Sequence, residues 1–275
     1  MIDAHQHVWS LGKHGCAWPT AADGPIFRDY SLDDFERVAV PLGIDWTVLV
    51  QSQENELDTA WLLDLASHEE RVAGVVGWTE LGSARAPARI AALAMHPKLV
   101  GLRPMVQDRE PGWYDLPPLQ PGFAAMVEQG LALDALVRVN HLAALKRLAR
   151  AFPDLRIVIN HAAKPAIDSA RGFDAWRRAM APLADRPNVS CKLSGLLTER
   201  GSAPAEAIAP YVEAILGLFG ADRVMWGSDW PVIELDSPYA GWLAIGKALV
   251  PRAMHSCVFS GTAARFYGLE LKVAA

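Results

Sequence analysis

The chain is poor in cysteine. Cys16, Cys191 and Cys257 stand far apart and form no C-x-x-C pair. That excludes a disulfide framework and a zinc ribbon. Apolar runs never approach the roughly 18 residues that a membrane helix needs. The opening Met1-Ile2-Asp3-Ala4-His5 has neither the basic nor the apolar segment of a secretory leader. Basic residues are not clustered, and the net charge of −5 is mild. Nucleic acid and anionic membrane surfaces are therefore not expected partners. A Gly-rich linker, a composition break and a short internal repeat are also missing. The expectation is a cytoplasmic globular protein, with its oligomeric state left open.

What is present is apolar sequence in a regular alternation. Of 275 residues, 51% are hydrophobic, enough for a large core. Short β-branched runs at 2–5, 47–51, 72–78, 100–103, 131–136, 156–160, 189–193 and 223–226 read as strands. Amphipathic stretches at 58–68, 86–95, 122–129, 142–151, 173–183 and 205–219 read as helices between them. Strands apolar on both faces suit a parallel sheet covered by helices. Eight such units predict a single (β/α)₈ TIM barrel domain over residues 1–275 rather than an open sheet. Two Pro-rich loops, 11–30 and 106–121, follow strands 1 and 4 and are placed to shape a site or to wander over the surface.

A barrel keeps its chemistry at the C-terminal ends of its strands, and ionisable residues recur there. His5 and His7 lie two apart, so a strand puts both on one face, where the pair can seed a metal site or bind and polarise a substrate, against a satisfied structural pair. Gln51, Gln53, Trp78 and Glu80 follow strands 2 and 3, and Arg103 ends strand 4. Asp134 lies within strand 5, with Arg138 and Asn140 beyond it. His161 and Lys164 follow strand 6, Lys192 and Ser194 end strand 7, and Ser228 and Asp229 follow strand 8. Asp229 precedes Trp230-Pro231, which cannot continue as helix, so the carboxylate is held in a turn. It reads as a general base or a metal ligand, against an ordinary capping role. His161 reads as a metal ligand or electrophile, against a backbone-satisfied histidine. Arg103 suits a substrate carbonyl, carboxylate or hydroxyl cluster, against an ion pair with a carboxylate such as Asp134. Trp78 and Trp230 are candidates to stack on a ligand ring, whereas Trp226 reads as core.

Jointly the segments IDAHQHVW, VVGWTEL, HPKLVGLRPMVQD, HAAKP, CKLSGL, MWGSDWPV and SGTAARFYGL span nearly the whole chain. They resemble the amidohydrolase-2 branch of the amidohydrolase superfamily, and within it the sugar-acid lactonases typified by L-fuconolactonase. The resemblance implies a barrel that hydrolyses a lactone ring. It matches His5 and His7 to the strand-1 pair, and Arg103, His161 and Asp229 to catalytic positions. It places Asp108 and Lys164 among substrate contacts. It also implies either no cofactor or one divalent metal, zinc being the natural choice for His5, His7, His161 and Asp229. A binuclear centre is not expected, because arginine at position 103 stays cationic and is no metal ligand. Pro104 departs from the branch, which often has histidine directly after this arginine. The expected activity is hydrolysis of a sugar-acid lactone by Asp-activated water. The alternatives are a metal-dependent decarboxylase of an aromatic acid, a hydrolase of a non-sugar lactone such as a muconolactone, and a sugar-acid-binding protein without turnover.

Overall fold

The computed structural model of the chain describes residues 1–167 and 170–271, so the last four residues of the expected domain lie outside it. Eight strands form one sheet in the order β1 to β8, each hydrogen-bonded in parallel to the next. They are β1 (Ile2–Gln6), β2 (Trp46–Val50), β3 (Val72–Gly77), β4 (Leu99–Leu102), β5 (Ala132–Ala135), β6 (Ile157–Ile159), β7 (Val189–Leu193) and β8 (Val224–Trp226). At the C-terminal end the seam between β8 and β1 closes through backbone bonds. Asp229 N–H donates to His5 O at 2.8 Å, and His7 N–H donates to Trp230 O at 2.7 Å. The eight-stranded barrel expected from the apolar runs is thus present, with strand limits within one residue of expectation.

The helices around it are α1 (Leu32–Ala39), α2 (Glu56–His68), α3 (Ala86–Ala94), α4 (Gln120–Glu128), α5 (Leu142–Ala151), α6 (Ala170–Ala184), α7 (Ala209–Phe219), α8 (Tyr239–Leu249) and α9 (Thr262–Tyr267). The sequence reading did not mark α1, α8 or α9. Ser31 begins α1 with a reciprocal cap, its side chain accepting from Asp34 N–H while the Asp34 carboxylate accepts from Ser31 N–H. None of the described helices is long and apolar enough to cross a membrane.

Strand residues alternate between two apolar clusters. Cys191, Leu193, Val224 and Trp226 join the outer core beneath the helices. Ile2, Val48, Val50, Val76, Val158 and Met225 fill the lumen with Ala263 and Tyr267 of α9. Helix α9 therefore closes the N-terminal end of the barrel. Arg156, just before β6, fastens it there by donating to Phe266 O. β1 departs from regular register between Asp3 and Gln6. Asp3 meets Tyr239 of α8 at 2.9 Å, while His5 and His7 face the site.

Candidate active site

The site begins with β1. The Nε2 atoms of His5 and His7 lie 3.2 Å apart, so the two-residue spacing does put both rings on one face. His7 is oriented by its Nδ1, 2.7 Å from Val50 O. A carbonyl only accepts, so Nδ1 carries the proton and Nε2 is bare. Gly227 makes room for His5, since a Cβ there would stand 2.6 Å from His5 Cβ.

Asp229 is the hub. Its Oδ1 is 3.3 Å from His7 Nε2, 3.6 Å from His5 Nε2 and 3.7 Å from His161 Nε2. The residue sits at φ 59°, a left-handed conformation that Asp tolerates better than most residues. Among the described residues its carboxylate caps no helix. Burial would raise its pKa, but the imidazoles around it and the Lys164 cation outweigh burial and hold it at about 2. Asp229 is thus an ionised carboxylate in a buried site.

His161 follows β6 in an unusual stretch. His161, Ala162, Ala163 and Lys164 all have positive φ, from 48° to 63°. For residues with a Cβ this conformation costs roughly 1–2 kcal/mol each. The stretch is held by Trp176 Nε1, which donates to Ala162 O at 2.7 Å, and by Lys164 N–H, which donates to His161 O at 2.8 Å. Concentrated strain of this kind marks functional segments. His161 Nδ1 lies 2.9 Å from Ser194 Oγ. Burial pushes its pKa down to about 3, so the ring is neutral at physiological pH.

Arg103 reaches in from the end of β4. It donates to Gln51 O, while Gln51 Nε2 donates to Arg103 O at 2.8 Å. One terminal nitrogen lies 3.4 Å from His5 Nε2. Burial lowers its pKa to about 10, so it remains a cation. Asp134 pairs not with Arg103 but with Lys192, at 2.6 Å. Pro104 is buried.

The remaining expected site residues spread outward. Lys164 forms an ion pair with Glu199 at 3.0 Å. Trp78 is half-buried at the end of β3. Asp108 is exposed and 3.7 Å from Arg138. Trp230 is 1% exposed. It packs edge-on to Tyr30 and near Phe35, and its Nε1 donates to Glu234 at 2.8 Å. Its ring is taken up by packing instead of facing a ligand, because its Cα lies in the β8–β1 seam.

The arrangement can also be tested for a metal. Bonds of about 2.1 Å to zinc give a tetrahedron with edges of about 3.4 Å. Four of the donor separations, 3.2, 3.3, 3.6 and 3.7 Å, are close to those edges. His5, His161 and Asp229 also place one donor atom each within 4.8 Å of one another. The donor spacing fits one divalent ion.

A family model described as amidohydrolase matches residues 2–269. The chain belongs to the amidohydrolase family. This amidohydrolase is 46% identical over 278 residues to the L-fucono-1,5-lactonase of Burkholderia ambifaria, covering 98% of this chain and 96% of that protein. It is 32% identical over 284 residues to the L-fucono-1,5-lactonase of Burkholderia multivorans, covering 98% and 96%. The crystal structure of an amidohydrolase from Burkholderia multivorans with bound zinc matches at a TM-score of 0.92 and 32% identity, over 98% of this chain and 99% of that one.

Sequence reasoning missed the partners that orient the site. Ser194 and Lys192 stood out only as polar residues near a strand end. The period of two along Ser190, Lys192 and Ser194 was the available signal, because it sends all three to one face.

Proposed function

We propose that this amidohydrolase is a lactonase that opens a sugar-acid lactone of the L-fucono-1,5-lactone type to the free aldonic acid. Asp229 carries the reading: an ionised carboxylate, buried at the barrel mouth, with three imidazole nitrogens around one oxygen. The substrate class comes from the two relatives named for that lactone.

Asp229 takes a proton from water, and the resulting hydroxide bonds to the lactone carbonyl carbon. The carbonyl electron pair moves onto oxygen. The Arg103 cation and the neutral His161 ring stabilise that charge, in a site shielded from bulk water. The tetrahedral centre then collapses and the ring C–O bond breaks. Asp229 returns its proton to the departing ring oxygen, which would otherwise leave as an alkoxide. By donor spacing alone, His5, His161 and Asp229, with His7 beside them, could hold a divalent ion, which would supply Lewis acidity toward the carbonyl oxygen. Trp78 and Lys164 are assigned to the sugar ring and its hydroxyls.

The test is proton release in weak buffer with a pH indicator, against a panel of sugar-acid lactones, with and without chelator. Rapid acid production from a six-carbon sugar lactone is expected. Silence across the panel, with CO₂ released from an aromatic acid, would replace this reading by a decarboxylase.

A further inference from the structure

Two of the three histidines at the hub are oriented by groups that suit a metal ligand, and the third is not. A ligating histidine normally donates its outer N–H to an acceptor. His7 does so to Val50 O at 2.7 Å, and His161 faces the Ser194 hydroxyl at 2.9 Å. His5 instead has the Lys192 ammonium 3.2 Å from its Nδ1. Lys192 is fully buried in β7 and bonded at 2.6 Å to Asp134, which is also buried and which accepts from Asn160 Nδ2 at 3.0 Å and Tyr267 Oη at 2.7 Å. Asp134 thereby anchors the lysine from below. An ammonium can only donate.

We propose that Lys192 is a positioning residue that locks His5 in the tautomer protonated at Nε2, making His5 a hydrogen-bond donor into the site and disfavouring metal there. With Nδ1 accepting from Lys192, the His5 proton must lie on Nε2. That proton faces the bare His7 Nε2 at 3.2 Å and the Asp229 carboxylate at 3.6 Å, both acceptors. The Arg103 nitrogen at 3.4 Å from His5 Nε2 opposes this tautomer, but it is the longer of the two contacts to a cation. To ligate a metal through Nε2, neutral His5 would have to turn an Nδ1–H toward an ammonium. The donor spacing therefore fits an ion while the lysine holds one of its donors in the wrong protonation pattern. Without Lys192, His5 is free to ligate.

This inference rests on reading the His–Asp cluster as the reaction centre, and its test needs no substrate, so a failed lactone assay leaves it standing. Long-range ¹H–¹⁵N correlation spectra of metal-free protein, assigned with His5→Gln, should show His5 protonated at Nε2 and bare at Nδ1. Zinc titrated calorimetrically should bind Lys192→Met/Asp134→Asn about tenfold or more tightly than the parent, the scale of effect expected of groups that orient a ligand. The paired change avoids leaving Asp134 as an unmatched buried charge. His5 protonated at Nδ1 in the parent overturns the proposal. So does zinc affinity that is unchanged or weaker in the folded double variant. Should that variant fail to fold, the parent spectrum decides alone.

Discussion

The two ends of the barrel lumen are built from the same strands and differ in what they can tolerate. At the floor, Ile2, Val48, Val76 and Met225 pack against Tyr267 in an apolar plug. Two to four residues further along those and the neighbouring strands, the lumen holds His5, Arg103, Lys192, His161 and Asp229, all buried. The floor gains stability from burial. The mouth takes ionised groups and left-handed backbone out of water, and each has to be met by a specific partner. The contrast teaches that the lower layer secures the barrel which holds the costly upper layer in register.

The largest expected break is at the hub. Asp229→Asn keeps the volume and removes the base. It should lower kcat about 10²–10⁴-fold on the best lactone, with a melting temperature close to the parent. Near-normal turnover would remove Asp229 from its assigned role. Next comes Gly195→Ala, at φ +65°, where a Cβ would lie 2.6 Å from His161 Nδ1. Displacing that ring should cost about 10²-fold in kcat/KM, with a modest loss of stability from the strained φ. Circular dichroism alongside kinetics would separate the two effects.

The floor should respond in the opposite sense. Val48→Ala should lose roughly 1–3 kcal/mol in a denaturant titration while kcat/KM stays within about twofold. A large kinetic effect there would mean that floor and mouth are not independent. The smallest effect is a pH dependence of stability near the mouth. Asp58 accepts from Ser52 and Gln53 N–H at 2.9 and 3.2 Å. Burial nonetheless raises its pKa from 3.8 to about 6. The folded state then holds a proton that the unfolded chain has released. This contribution is fully present below about pH 4 and is lost as pH rises through about 6. Asp58→Asn should flatten the fall in denaturation midpoint between pH 4 and 7, leaving the part due to Asp3, likewise raised to about 6. An unchanged slope would show that Asp58 does not carry it.

The strands and the ionisable residues gathered at the mouth were legible because strand patterning marks both. Apolar runs marked the staves, and polar residues at their ends marked the mouth. α1, α8 and α9 were not marked. The apolar residues of α8 and α9 pack on β8 and its neighbours, and α9 is only Thr262–Tyr267, too short for its period to stand out.

The sequence by itself determined that eight parallel strands close into a barrel and that His5, His7, Arg103, His161 and Asp229 stand at one end of it. Strand alternation and a fixed βα order leave those residues nowhere else to go. Only the tertiary structure decided which groups pair. Asp134 takes Lys192 and not Arg103, His5 faces an ammonium where His7 faces a carbonyl, and Trp230 is spent on Tyr30 and Phe35. Pairings of this kind depend on the barrel's stagger and on separations of a few tenths of an ångström between residues as far apart in the chain as His5 and Lys192, and no local pattern encodes such distances.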